Sequence, residues 1–265
     1  IGLAVAITVS IYLNAEFNFD KHWQEHENIY RVNSAFIING ETEEYGAAGF
    51  GLAQLMDECF EEVEEATHFF SFDNSVYFRS DSVKAYENEL IVADNNFFQL
   101  FKCNFLAGNP QNCLEKERSI VISESFAKKY FGAKPALGQS LNTSNFEYKV
   151  RGVFKDIPEN SHHYFNAVIS ESDLARDTSA IAVSLWQVSH YTFLKIPSAR
   201  EANWVQANFD SVYANYMAGM EDAVQAEYKI KLQPISEIHF NTKPAFDSVG
   251  GSLIYVYGFA GIGLL

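Results

Sequence analysis

The sequence predicts an α+β fold, because its strands and helices follow one another without the regular alternation of a parallel α/β protein. The clearest local pattern, in residues 119–170, is a strand, a short helix, a strand, a turn and another strand. Two uncharged apolar runs, residues 1–13 and 252–265, occupy the ends. We therefore expect a mixed domain between two hydrophobic segments.

The apolar ends are too short to cross a bilayer alone, since about 13 helical residues extend ~20 Å against a hydrocarbon core of ~30 Å. The first run lacks the basic start and the Ala-x-Ala exit of a signal peptide. We expect the runs to be parts of two truncated transmembrane helices, the first continuing into water as a helical stalk over residues 17–26. The alternative is a pair of buried core helices.

The chain up to residue 101 predicts several short elements. Asn39-Gly40 is a hairpin signal after a strand at residues 30–38. Helical spacing of apolar side chains predicts a helix within residues 49–63, carrying Leu52, Leu55, Met56, Cys59 and Val63. The acidic pairs Glu61-Glu62 and Glu64-Glu65 suit its solvated end. Short strands are predicted at residues 76–79, 83–86 and 89–93, and a helical turn at residues 95–101.

The central stretch has the strongest helix signals. A β-rich run at residues 119–122 leads to Ser123 as N-cap and Glu124 in the first turn. Gly132 ends the helix, and Pro135 prevents it from restarting. A half-buried strand is predicted at residues 148–154, where Tyr148, Val150 and Phe154 alternate with Lys149, Arg151 and Val153. A further strand is predicted at residues 164–169.

The last third of the chain predicts one long amphipathic helix. Ser198 and Glu201 form a capping box, and the apolar face that follows carries Val205, Phe209, Val212, Tyr213 and Tyr216. Strands are predicted at residues 191–196 and 228–232. Ser170 with Asp173 predicts a short helix, and residues 177–183 predict a loop.

Composition limits the function classes. The net charge of −15, from 34 acidic and 19 basic residues, argues against binding to nucleic acid, whose phosphates attract Lys and Arg. It also argues against adhesion to an anionic lipid surface. The sequence has no G-x-x-x-x-G-K-[ST] phosphate loop and no G-x-S-x-G nucleophile elbow. These absences favour a protein that is not an enzyme.

Histidines and cysteines were the remaining candidates for chemistry. His22 and His26, at i and i+4 on the predicted stalk, would offer two nitrogens to a metal but lack a third ligand. The adjacent His162 and His163 would point to opposite faces of an extended chain. Three cysteines allow a Cys103–Cys113 disulfide or free thiols, with Cys59 as a buried hydrophobe, and spacing alone does not decide. We expect no catalytic, cofactor or metal site.

Three stretches of the sequence, taken in their order along the chain, resemble segments of one known family. They are EFNFDK at residues 16–21 followed by NIYRV at 28–32, then VISESFAKKYFG, LGQSL and YKVRGVFKDIPENS within 121–161, and finally QPISEIH at 233–239. Together they resemble the MacB-like periplasmic core domain of FtsX-type ABC transporter permeases, in the form common in Bacteroidetes. The family's domain has no catalytic residues, so the resemblance implies none here.

The resemblance implies a discontinuous, two-part periplasmic domain flanked by truncated transmembrane helices. Residues 1–27 would be the end of the first transmembrane helix and its stalk, and 252–265 the start of the second. Residues 28–96 and 187–251 would form a porter-like part with a βαβ core, and 97–186 an inserted Sabre-like part. The few cations beside the apolar runs, Lys21 and Lys243, suit the non-cytoplasmic side.

The implied function is the coupling of cytoplasmic ATP hydrolysis to periplasmic motion, for export or extrusion of a substrate across the cell inner membrane. The implied partners are a cytoplasmic ABC ATPase subunit, a second permease copy or half in a dimer or pseudo-dimer, and a periplasmic or outer-membrane protein. The alternative is a ligand-capturing extracellular sensor domain of a membrane receptor. The sequence does not identify the cargo.

Overall fold

One mixed β-sheet is the frame of the molecule. The computed structural model describes residues 2–72, 74–173, 186–217, 226–241, 244–245, 247 and 250–263. Within them, fourteen strands join in one sheet. The strands are β1 (Ile29–Ile38), β2 (Glu41–Tyr45), β3 (Ala48–Gly49), β4 (Glu65–Ser71), β5 (Val76–Arg79), β6 (Lys84–Glu87), β7 (Leu90–Ala93), β8 (Phe105–Gly108), β9 (Ser119–Ser123), β10 (Ser140–Asn142), β11 (Glu147–Phe154), β12 (Ala167–Ser170), β13 (Val188–Lys195) and β14 (Ala226–Pro234).

The strand order mixes distant parts of the sequence. It runs β14-β1-β13-β4-β7-β12-β9-β11-β10-β5-β6, with β2 beside β1, β3 beside β13 and β8 beside β11. The pairs β9–β11 and β7–β12 are parallel, and the other described pairs are antiparallel. The helices are α1 (Gly2–Phe17), α2 (Leu52–Cys59), α3 (Phe97–Leu100), α4 (Glu124–Phe131), α5 (Ala199–Met217) and α6 (Leu253–Gly263). The mixed α and β content confirms the predicted class.

Local signals in the sequence are confirmed where a side chain caps or turns the backbone. The Ser123 hydroxyl accepts a hydrogen bond from the Phe126 amide at 3.2 Å and starts α4, which Gly132 ends with φ = 63°. The Ser198 hydroxyl accepts from the Glu201 amide at 3.3 Å and starts α5. Asn39 and Gly40 have φ values of 54° and 84°, as a two-residue hairpin of type I′ requires.

Strand β4 was not predicted, because its first residues were interpreted as a solvated helix end. Helix α2 stops at Cys59, and Val63 is buried by a turn in which its amide donates to the Phe60 carbonyl at 3.1 Å. Glu65 then begins β4, which lies between β13 and β7 and pairs with both. The strand therefore depends on partners about 20 to 130 residues away in sequence, which a local pattern does not reveal.

A β-bulge changes the predicted faces of β11. Beside β9, Val150 pairs with Ile120, whereas Gly152 pairs with Val121, so Arg151 is the extra residue. Tyr148, Val150 and Val153 consequently pack in one hydrophobic cluster, and Phe154 packs in another. The simple alternation that put Phe154 on the Tyr148 face, and Val153 opposite, was wrong beyond the bulge.

The predicted helical stalk over residues 17–26 was wrong as well. Helix α1 ends at Phe17, and the chain turns at Asp20, whose φ is 56°. The Asp20 amide donates to the Asn160 carbonyl at 3.0 Å, and the Asn160 side chain donates to the Asn18 carbonyl at 2.9 Å. Bonds to a distant loop replace the intrahelical bonds that would continue α1. Among the described helices, none combines the length and apolar character that a membrane crossing needs.

Three hydrophobic clusters pack on the sheet. The first joins β1, β13 and β14 to α2 and α5, and the second joins α3 to aromatic residues around Phe69. The third joins β9, β11 and β12 to α4, and also takes Phe78, Leu90 and Val92 from β5 and β7. The predicted loop at 177–183, the flanking Lys243 and the side chain of Tyr216 lie outside the described residues.

Candidate functional site at the junction of the terminal helices

Helices α1 and α6 lie side by side, although they come from opposite ends of the chain. The rings of Tyr12 and Phe259 meet edge to face with centroids 5.5 Å apart. Large apolar side chains on both helices face outward, with Leu3 77% exposed and Ile254 82% exposed. A contiguous apolar surface of this kind marks contact with another apolar phase or partner. The end of α1 and the start of α6 adjoin the rest of the domain, and we call this region the base of the helix pair.

The first contact at the base joins Glu16 to His239. Glu16 Oε2 lies 2.8 Å from His239 Nε2, and the imidazole stacks on Phe19 with centroids 3.9 Å apart. Gly251, just before α6, donates its amide to the His239 carbonyl at 2.8 Å. A Cβ at Gly251 would overlap both Glu16 Oε2 and His239 Nε2. A larger residue at position 251 would therefore displace the ends of the Glu16 and His239 side chains.

The second contact joins Asp20 to the loop at residues 160–162. One Asp20 oxygen accepts from the Ser161 hydroxyl at 3.1 Å and from the His162 amide at 3.0 Å, and the other lies 2.5 Å from His162 Nδ1. Burial alone would raise the pKa of Asp20, but the hydrogen bonds and charge of His162 outweigh it. The pKa of Asp20 therefore lies below its ordinary value, and the carboxylate stays charged at neutral pH.

The third contact is a buried ion pair between β1 and the chain before α6. The Arg31 guanidinium is fully buried and donates to both oxygens of Asp247, at 2.7 and 2.8 Å. Arg31 Nε also donates to Asn33 and Arg31 Nη2 to Gln233, each at 2.9 Å. The side chain of Asp247 is only 3% exposed. A buried bidentate pair between a guanidinium and a carboxylate is among the stronger polar contacts in proteins.

We refer to Glu16, Asp20, Arg31, His162, His239, Asp247 and Gly251 as the junction. Its contacts join residues separated by 142, 216 and 223 positions in sequence. The junction and its supporting bonds take residues from each of the sequence stretches that resemble the family, at 16–21, 28–32, 148–161 and 233–239. The junction connects the ends of both terminal helices to β1 and to the loop after β11.

His163 lies beside the junction and has a different environment from His162. Its ring packs among Phe69, Tyr191 and Phe193, with centroid distances of 4.9, 4.4 and 5.7 Å. Burial lowers the pKa of His163 to about 3, from an ordinary value of 6.5. The prediction of opposite faces assumed an extended chain, whereas residues 162 and 163 lie in a turn, and their two rings have different neighbours.

His163→Phe should make the stability of the domain less sensitive to acid. Below about pH 6.5 the unfolded chain binds a proton that folded His163 takes up only near pH 3, so stability falls as the pH falls through this window. At about pH 5 the loss is about 2 kcal/mol, from about 1.4 kcal/mol per pH unit. Thermal unfolding temperatures at neutral pH and at about pH 5 should differ less in the variant than in the wild type.

A matched control for this prediction is His26→Gln, since the His26 side chain is 30% exposed and pairs at the surface with Glu27. It should keep the acid sensitivity of the wild type. If His163→Phe and the wild type lost equal stability between neutral pH and about pH 5, a neutral buried His163 would be contradicted.

The sequence analysis also missed a second buried polar group, formed by His68 on β4, His190 on β13, and the residues that follow β7 and β12. His68 Nε2 contacts Glu171, and His68 Nδ1 lies 3.3 Å from Asp94. His190 Nε2 lies 3.4 Å from the other Glu171 oxygen. Burial raises the pKa of Asp94, against the opposing effect of His68 and of a 2.6 Å hydrogen bond from Thr67. These contacts connect β4 and β13 to the residues that follow β7 and β12.

The candidate metal ligands of the sequence are not brought together as an i, i+4 pair. His22 and His26 lie beyond the end of α1, and the His22 ring packs against Trp23 with centroids 4.3 Å apart. Within the described ranges, no group of three or more His, Cys, Asp or Glu has an arrangement suited to a metal ion. Glu64, expected as a solvated acid, bridges to Lys195 at 3.0 Å.

The cysteines are free thiols, so the structure does not contain the Cys103–Cys113 disulfide that spacing left open. Burial raises the pKa of the Cys103 thiol well above its ordinary value and that of Cys113 to about 12. Thiols of this kind are unreactive at neutral pH. Cys59 is partly buried beside the first hydrophobic cluster, in line with the hydrophobic role expected for it.

Comparison with known proteins gives one family and several solved structures. The model of a family described as MacB-like periplasmic core domain matches residues 1–212. A domain of a candidate permease protein from Porphyromonas gingivalis has a TM-score of 0.69 and 17% identity, over 89% of this chain and 98% of its own. No curated protein matches the chain significantly.

Two further solved structures match with lower scores. The periplasmic region of MacB from Actinobacillus actinomycetemcomitans has a TM-score of 0.47 and 14% identity, over 78% of this chain and 90% of its own. The extracellular domain of the noncanonic ABC-type transporter YknZ from Gram-positive bacteria has a TM-score of 0.45 and 12% identity, over 76% of this chain and 99% of its own. At these identities, the Porphyromonas gingivalis match is evidence for the fold alone.

Proposed function

The chain belongs to the family of MacB-like periplasmic core domains, and on that premise we propose that it couples ATP hydrolysis in the cytoplasm to movement in the periplasm. The family places it as a periplasmic region of an ABC-transporter-type permease in the inner membrane, with an ATPase as partner. The single observation that carries the proposal is the junction, where buried polar contacts fix both terminal helices to the sheet.

In this account α1 and α6 are the periplasmic ends of two transmembrane helices. Their outward apolar side chains and their mutual contact at Tyr12 and Phe259 support such a placement. Because α1 ends at Phe17, the expected helical stalk is replaced by a short anchor, in which the turn at Asp20 is held by Asn160, Ser161 and His162. Force would enter the sheet through these bonds.

The remaining assignments are proposals of the same kind. The role is non-catalytic, since the family consists of permease domains. The working unit is a dimer or pseudo-dimer, which would meet a periplasmic or outer-membrane partner during export of a substrate. The comparisons do not favour the alternative of a ligand-capturing sensor domain of a receptor.

The two-part division of the domain is also a proposal. The first hydrophobic cluster, of β1, β13 and β14 with α2 and α5, supports a porter-like part from residues 28–96 and 187–251. The third cluster supports an earlier start for the inserted part than residue 97, because Phe78, Leu90 and Val92 pack with β9, β11 and β12.

Gly251→Ala tests the coupling, because its methyl group would separate Glu16 from His239. In the intact permease–ATPase complex, we expect ATP hydrolysis to continue. Trapping the ATP-bound state should alter amide hydrogen exchange in β1 and residues 160–162 of the wild type, and leave these segments unchanged in the variant. The matched control is Gly258→Ala on α6, where an added Cβ meets nothing within 4 Å. Equal exchange changes in Gly251→Ala and the wild type would refute transmission through the junction.

A further inference from the structure

We propose that an open cavity at the far end of the sheet binds an uncharged small molecule that contains a flat ring system. The cavity has a volume of about 460 Å³ and lies between β4, β5, β6 and the turn that connects β10 to β11. This volume falls in the range of about 300–1,000 Å³ that small-molecule sites occupy. The site is separate from the junction and does not depend on the coupling proposed above.

Aromatic side chains dominate the lining. Six of them border the cavity: Phe70, Phe72, Tyr77, Tyr86, Phe146 and Tyr148. Tyr86 is 70% exposed and Phe146 is 45% exposed, so two of these rings present their surfaces to an incoming molecule. Aromatic rings at this spacing bind other rings by offset stacking and edge-to-face contact, in addition to the apolar area that they cover.

The lack of charged side chains among the described lining residues indicates which class of ligand the cavity would bind. Among the described residues that border the cavity, none is charged, although 53 of the 265 residues of the chain are acidic or basic. Among these described lining residues, an anionic ligand such as a nucleotide or a fatty acid would meet no cation, and a chain of net charge −15 would repel it. A cationic ligand would meet no carboxylate among the same residues. An uncharged molecule fits both facts.

The cavity is shaped before a ligand arrives. Its floor contains Val92 and Ile169, which are each 3% exposed. At the rim, the Thr143 amide donates to the Phe146 carbonyl at 2.7 Å, and the Thr143 hydroxyl accepts from the Phe146 amide at 3.0 Å. The Arg118 guanidinium lies 3.8 Å from the centroid of the Phe146 ring and holds it in place. Such pre-organisation lowers the entropy cost of binding.

Polar groups in the lining would orient the ligand. Ser75, Thr143, Ser144 and Asn145 offer hydroxyl and amide groups that both donate and accept hydrogen bonds. Since most of the lining is apolar and aromatic, a ligand with a flat apolar body and one or two hydrogen-bonding substituents matches it best. The chemical class is therefore an uncharged aromatic or fused-ring compound.

The test uses an uncharged photoreactive aromatic probe, 4-methylbenzophenone, with the full-length protein in nanodiscs. After irradiation, adducts are mapped by mass spectrometry. We expect saturable labelling of residues 75–86 and 143–148, competed by excess naphthalene. Probe dissolved in the bilayer would label α1 and α6, which lie on other peptides. That background labelling should not saturate.

Two substitutions of residues that line the cavity test whether the probe binds there. Tyr86→Ala should raise the half-saturating probe concentration about fivefold, the effect of losing one aromatic contact, and Ser144→Trp should block labelling by filling the cavity. Trp204→Ala removes an aromatic ring that is 49% exposed on α5 and serves as the control that leaves labelling unchanged. Non-saturable labelling, equal labelling in all variants, or a cavity occupied by a second copy of the chain and inaccessible to the probe would overturn the proposal.

Discussion

Phe209→Ala should lower the free energy of unfolding by about 3–5 kcal/mol. The ring is fully buried on the inner face of α5, where it stacks on Tyr213 with centroids 5.3 Å apart and meets Tyr228 of β14 at 6.0 Å. Its removal would leave a cavity between the helix and the sheet, because the neighbouring rings are held by other contacts and cannot close the gap fully. Urea unfolding followed by circular dichroism measures the loss.

Trp204→Ala is the matched control for this prediction. Trp204 lies on the same helix and is 49% exposed, so its truncation should cost no more than about 1 kcal/mol. If the two variants lost similar stability, packing of α5 through Phe209 would not be what holds this helix to the sheet.

Asp247→Asn should lower the free energy of unfolding by about 3–5 kcal/mol, because it leaves the fully buried Arg31 charge without its anion. The change conserves the shape of the side chain, so the expected effect is electrostatic rather than steric. Asn33 and Gln233 still accept from the guanidinium, but neutral acceptors do not compensate a buried charge. Urea unfolding of the purified variant gives the value.

Glu44→Gln makes the same carboxylate-to-amide change in an exposed pair. Glu44 on β2 lies 3.9 Å from Lys231 on β14, and both side chains are more than a third exposed. Surface pairs of this kind contribute about 0–1 kcal/mol, so the control should be nearly neutral. An Asp247→Asn variant as stable as Glu44→Gln would show that the Arg31 pair does not anchor the chain before α6.

Elements that depend on neighbouring residues could be predicted from the sequence. Ser123 and Gly132 fix the ends of α4, and Ser198 fixes the start of α5, because each acts on backbone groups within four residues. The apolar periods of α5 and β14 were also visible, since each element buries one face. The family resemblance supplied the overall assignment that these local signals do not contain.

The junction could not be predicted, because its partners are far apart in the chain. Nothing near Asp20 indicates His162, and nothing near Arg31 indicates Asp247. The same limit explains β4, whose seven residues become a strand only between β13 and β7, and the bulge at Arg151, which follows from pairing with β9. One usable signal existed: the separate sequence matches contain charged and imidazole side chains among apolar ones, at Glu16, Asp20, Arg31 and His239.

The end of α1 shows how the structure changes the mechanism. A continuous helix through residue 26 would have been a stiff rod that carries motion by itself. With α1 ending at Phe17, the coupling that we propose would pass through the bonds of Glu16 and Asp20 to residues 235–241 and 160–162. Coupling then demands two arrangements of the domain that the helices and the ATPase bias differently.

The most direct test of this account is a distance measurement on the working complex. Spin labels at Trp204→Cys, on the exposed side of α5, would report the separation of two permease copies in nanodiscs after the native cysteines are replaced. The account predicts one distance distribution without nucleotide and a different one when the ATP-bound state is trapped. Identical distributions in a complex that hydrolyses ATP would contradict it, because the periplasmic domains would then be stationary while the ATPases close.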